Sequence, residues 1–170
     1  ERLQRDAVEG PTRERSIAVR FPEPPQPGRL VLDVDGVTKG YGGPPVFEDI
    51  TFDLGRGERM LILGLNGAGK TSLLRIIAGV TEADDGEVRL GHNVSAGYYA
   101  QEHEGIAAGR DLRSHVLEQA DLPETQLRAL LGMFGLSGEM AFQDAGTLSG
   151  GEKTKLALAQ LVAGRHNLLL

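Results

Sequence analysis

A glycine-rich stretch ending in a lysine and a hydroxyl holds the chain's most specific chemistry. Residues Gly64 to Thr71 read Gly-Leu-Asn-Gly-Ala-Gly-Lys-Thr, the G-x-x-x-x-G-K-[ST] spacing of a phosphate-binding loop. Glycines let the backbone turn tightly enough for successive N–H groups of Asn66, Gly67, Ala68 and Gly69 to converge on an anion. A helix opening at Lys70 adds its positive end to the same place. The Lys70 ammonium suits the β- and γ-phosphates, the Thr71 hydroxyl suits the Mg²⁺ that accompanies them, and Ser72 follows as a further nucleotide-binding residue. Only 4 of the 18 basic residues are lysines, yet one stands at position 70, where a compact cation on a flexible stem is needed. These residues imply a bound nucleoside triphosphate.

A second constellation lies at Leu148-Ser149-Gly150-Gly151-Glu152. Ser149 followed three residues later by Glu152 predicts a capping box. Two glycines in the first helical turn leave backbone N–H groups open to an anion. Read alone, the segment fits an ordinary capped helix better. The histidines at 92, 103, 115 and 166 read as structural or solvated. Asp84-Asp85 and Glu102/Glu104 read as solvated acidic turns.

The elements that must position these groups follow from periodicity and punctuation. Leu30–Val34, Val46–Leu54, Glu87–Leu90 and Val94–Tyr99 read as strands, with a turn at Gly91-His92-Asn93. Glu58–Gly64 is a near-continuous apolar run leading into the loop, the pattern of a strand buried on both faces of a largely parallel sheet. Gly79 is a natural stop for the helix after the loop. Asp111 predicts a helix start running to Ala120, Pro123 a second helix reaching Phe134, and Ser149 a third to Ala163. Asn167–Leu170 opens a further buried strand. Residues 1–28 are charged and then proline-rich, with Pro22, Pro24, Pro25 and Pro27 favouring extended chain.

Composition narrows the class. The chain of 170 residues carries a net charge of −6 and no cysteine, which argues against a generic electrostatic grip on nucleic acid and against a disulfide framework. No apolar run approaches the roughly 18 residues of a membrane span, and no leader pattern opens the chain. The expectation is a cytoplasmic protein without membrane insertion.

Taken in order, the phosphate loop, Gln101 and the Ser149–Glu152 segment resemble the nucleotide-binding domain of the ATP-binding cassette (ABC) superfamily. The resemblance implies an α/β P-loop NTPase fold with an antiparallel β edge and a helical subdomain. It implies ATP and Mg²⁺ as ligands, Gln101 as sensor of Mg²⁺ and attacking water, and Tyr41 as the aromatic that stacks on adenine. Ser149, Gly150, Gly151 and Glu152 would then cover ATP held by the phosphate loop of a second cassette.

Within the superfamily the chain is most similar to ABC-F proteins, tandem-cassette ATPases that act on ribosomes, with rRNA and tRNA as contacts. Ser149-Gly150-Gly151-Glu152-Lys153, Gly97-Tyr98-Tyr99-Ala100-Gln101-Glu102 and Arg20-Phe21-Pro22 carry that similarity. The division it implies is an interdomain linker end over 1–28 and part of the second cassette over 29–170, with the helical subdomain about 102–147. The sequence given reaches Leu170 before the carboxylates and histidine that the family uses for hydrolysis. The expectation is therefore an ATPase parent, of which the 170 residues given bind ATP without turnover. The other readings are a transporter's ATP-binding subunit and a non-hydrolysing ATP-binding module.

Overall fold

The computed structural model describes residues 23–100 and 105–170. Three strands, β1 (Leu30–Lys39), β2 (Phe47–Gly55) and β3 (Asp85–Leu90), form an antiparallel sheet in the order β2-β1-β3. β1 is the central strand, and its Val31, Leu32, Val34 and Val37 are all buried; the three valines are β-branched, the residue type that suits a strand. Its Leu32 pairs with Leu54 on one side and Leu90 on the other, and Val34 with Phe52 and Val88.

Helix α1 (Lys70–Ile77) packs on this sheet through Leu73, Ile76 and Ile77, the i, i+3, i+4 face of a short amphipathic helix. It stops where expected, with the Gly79 N–H on the Ile76 carbonyl at 3.0 Å. A parallel two-strand pair, β4 (Ala96–Gly97) and β5 (Leu168–Leu169), joins the same apolar core through Leu168 and Ala96.

Helices α2 (Leu112–Leu117), α3 (Glu124–Met133) and α4 (Gly150–Ala163) build a second core. Leu112, Val116, Leu127, Leu131, Leu136 and Leu156 are its largest fully buried apolar side chains. Asp111 accepts the Ser114 N–H at 2.8 Å as N-cap of α2, and Pro123 stands at the N-cap of α3. α2 ends at Leu117 rather than Ala120.

Glu58–Gly64, expected as a buried strand of a largely parallel sheet, has no ladder partner among the described residues. Leu61 and Leu63 stand 78% and 80% exposed, facing solvent beside an apolar groove of about 630 Å³ that β5 borders. An apolar run specifies burial but names no neighbour, and the principal sheet is antiparallel. The end of the proline-rich segment is fixed to the body: Arg165 donates to the Glu23 carbonyl at 2.6 Å, and Asn167 Nδ2 to that of Pro25 at 2.8 Å. Arg20-Phe21-Pro22 lies outside the described residues.

Candidate nucleotide-binding site

The phosphate loop leaves the unpaired segment at Gly64 and becomes α1 at Lys70. Gly69 caps the helix with φ +82° and no side-chain bond. A β-carbon there would stand 2.6 Å from Phe47 Cδ1 and 2.7 Å from Val46 Cγ1, so the start of β2 buttresses the loop from behind. No acidic residue occupies the first turn of α1, and the opening N–H groups of a helix lack intrahelical partners. The positive end of α1 is therefore not neutralised from within its own first turn.

Lys70 Nζ donates to the carbonyls of Gly64 at 2.9 Å and Leu65 at 2.8 Å, spanning the loop. An ammonium has three donors, so one is left for an anion. Thr71 is exposed beside it. This donor set (loop N–H groups, one ammonium and adjacent hydroxyls) fits a polyphosphate with a hard, oxygen-seeking cation.

Tyr41 reaches the same place from the loop after β1. Its hydroxyl donates to Ser72 Oγ at 3.1 Å, and the residue is 65% exposed. Lys39 Nζ lies 5.5 Å from the ring centroid. Asp84, expected as part of a solvated acidic turn, instead accepts from Lys39 Nζ at 2.5 Å and from the Gly40 N–H at 2.7 Å. Those donors hold the Asp84 carboxyl below its ordinary pKa, the Lys39 hydrogen bond first and the Gly40 N–H next. The acidic pair and the lysine were both visible in the sequence, but their meeting across 45 residues was not.

Ser149–Glu152 sits at the start of α4, in the helical unit, anchored by buried Leu148 and Leu156. The capping box forms as expected: the Glu152 carboxylate accepts from the Ser149 N–H at 2.8 Å and its hydroxyl at 2.7 Å. Those two donors, the hydroxyl first, hold the Glu152 carboxyl below its ordinary range. Gly150 and Gly151 are exposed. Gln101, with Glu102, His103 and Glu104, lies outside the described residues.

The remaining histidines are structural or solvated. His92 is exposed in the turn before β4. His115 is buried in α2, its Nε2 3.1 Å from the Ala107 carbonyl. His166 meets Ser95 Oγ through Nδ1 at 2.8 Å, and burial lowers its pKa. Among the described residues no group of three or more His, Cys, Asp or Glu side chains could hold a metal ion.

A glycine loop between a sheet and α1, a tyrosine over that helix start, and a glycine-started helix on a separate helical unit define an ABC-type nucleotide-binding cassette. The chain belongs to the ABC transporter family, whose family model matches residues 47–170. It is 33% identical to ABC transporter F family member 5 of Arabidopsis thaliana, over 100% of this chain and 25% of that protein. It is 34% identical to the energy-dependent translational throttle protein EttA of Mycobacterium tuberculosis, over 89% of this chain and 28% of that one. The resemblance to the ABC-F branch thus holds over most of the chain, which spans about a quarter of the length of these relatives. A solved structure, the dimeric post-hydrolysis state of the ATP-binding cassette MJ0796 bound to ADP and Pi, shares the fold at TM-score 0.66 and 20% identity. That match covers 81% of this chain and 72% of the solved one. No helix among the described residues is long and apolar enough to cross a membrane.

Proposed function

We propose that this chain is a MgATP-binding cassette of an ABC-F type ATPase that acts on the ribosome in translation. The observation that carries the ATP reading is the convergence of Lys70, the start of α1 with no side-chain cap, and the Tyr41 ring on one surface. Asn66–Gly69 would bind phosphate through backbone N–H groups, Lys70 would hold the β- and γ-phosphates, and Tyr41 would stack on adenine. Thr71, with Gln101, would hold Mg²⁺, which when bound neutralises charge on the phosphate oxygens.

Ser149, Gly150, Gly151 and Glu152 would face a nucleotide on a second cassette of the same parent chain. That reading is supported by the MJ0796 cassette, which was solved as a dimer bound to ADP and Pi. The ribosomal role is supported by the likeness to EttA, a translational throttle protein. Hydrolysis belongs to the whole protein, because the resemblance assigns no water-polarising carboxylate within residues 1–170. Residues 1–28 act as the linker end and 29–170 as part of the second cassette.

The test is equilibrium dialysis of labelled ATP. Lys70→Ala is expected to weaken binding by about tenfold or more, the scale of one charge-assisted phosphate contact. Equal affinities for both proteins would sink the assignment of this loop.

A further inference from the structure

We propose that Asp84 is a positioning residue for base recognition: its carboxylate fixes the two residues before Tyr41 and so sets where that ring stands over α1. The inference rests on the reading of Tyr41 as the platform for adenine.

Asp84 is bound to three successive residues at the end of β1. Its N–H donates to the Thr38 carbonyl at 3.0 Å. Its Oδ1 accepts from Lys39 Nζ at 2.5 Å and its Oδ2 from the Gly40 N–H at 2.7 Å. The next residue is Tyr41. The loop that carries it has little packing of its own: a β-carbon at Gly42 or Gly43 would find nothing within 4 Å. With three glycines among residues 40–43, the backbone there is permissive, and polar ties rather than sterics must hold it.

Lys39, clamped by Asp84, is only 12% exposed and stands 5.5 Å from the centroid of the Tyr41 ring. A cation occupies one face of an aromatic ring, and the 65% exposure of Tyr41 leaves surface for a base. The Tyr41 hydroxyl on Ser72 then ties the ring to the helix that begins at Lys70. Removing Asp84 frees Lys39 and the Gly40 peptide together. The base platform loosens, while Lys70 keeps its own ties to Gly64 and Leu65.

A phosphate-only ligand separates this role from general destabilisation. Dialysis of the full chain with ATP and with inorganic tripolyphosphate, each corrected for the residual binding of Lys70→Ala, supplies the comparison. Tyr41→Ala is expected to lower ATP affinity about tenfold, the scale of one stacked base. Asp84→Ala is expected to lower it about three- to tenfold and to leave tripolyphosphate within about twofold. The double variant should bind ATP no more weakly than Tyr41→Ala, since both act through one ring. Asp84→Asn, which keeps an acceptor for the Gly40 N–H but loses the charge facing Lys39, should fall between Asp84→Ala and the parent.

Unchanged ATP affinity in both Asp84 variants, with Tyr41→Ala weakened, would overturn the role of Asp84 alone. Equal losses for ATP and tripolyphosphate in both variants would also overturn it. Full ATP affinity in Tyr41→Ala would remove the platform reading itself, and this inference with it.

Discussion

At the scale of single residues, the phosphate loop contains two glycines whose backbones are alike and whose surroundings differ. Gly67 and Gly69 have φ +86° and +82°, both in the left-handed region. A β-carbon at Gly67 meets nothing within 4 Å, whereas one at Gly69 collides with Phe47 and Val46. Gly67→Ala should therefore cost only the left-handed strain, about 1–2 kcal/mol. Gly69→Ala adds overpacking of a further 1–3 kcal/mol or so and displaces the loop from β2. Urea titration should rank the two in that order, and ATP affinity should fall further in Gly69→Ala. Equal stabilities would mean that β2 does not buttress the loop. The motif announced both glycines, but only the fold shows which has a wall behind it. The same holds for Asp84: its type was legible as an acidic turn, its task as the partner of Lys39 and Gly40 was not.

Among the elements, local punctuation is legible in the sequence and long-range pairing is not. Asp111, Pro123, Gly79 and the Ser149/Glu152 box act within one helical turn, so their residue types suffice to mark helix ends. The Glu58–Gly64 segment needed a neighbour that no local pattern names. The helical unit turns the local signals into a pH prediction. Asp111 caps α2 through the Ser114 N–H, and Asp144 accepts from Gly109 and Gly146, beside an antiparallel bridge between Asp111 and Asp144. Both carboxyls lie below their ordinary pKa, through hydrogen bonds with Ser114 in one case and with the Gly146 and Gly109 N–H groups in the other. A depressed folded-state pKa means that the unfolded chain binds more protons in this window, so stability rises with pH there. The contribution is complete above the ordinary aspartate value of about 3.9 and is lost as pH falls through the lowered folded-state values. Asp111→Ala should cost about 1 kcal/mol at pH 7, and its urea midpoint should fall less steeply than the parent's below about pH 4. Parallel curves for the two proteins would exclude Asp111 as a source of acid sensitivity.

Across the whole molecule, the phosphate loop leads into α1, whose Leu73, Ile76 and Ile77 belong to the sheet core, and the Ser149 turn follows Leu148 of the helical core. The glycines of that turn are not explained by the chain's own packing. Gly150 and Gly151 have no positive φ, and a β-carbon on either would meet nothing within 4 Å. Glycine inside a helix costs up to about 1 kcal/mol relative to alanine, so nothing in the described structure favours it there. Close approach by something outside the chain does, and an anion on a second cassette is the partner proposed above. Gly151→Ala should accordingly melt no lower than the parent, and its ATP affinity at the Lys70 loop should be unchanged. What it should lose is the closed state that ATP stabilises between cassettes. Under the ribosomal role proposed above, that loss should read out in the full-length protein as weaker ATP-dependent co-sedimentation with ribosomes. Retention equal to the parent's would mean that the bare face of α4 is not where the second nucleotide is met. A lower melting temperature would instead assign the glycine to the fold, and the open space around its missing β-carbon argues against that outcome.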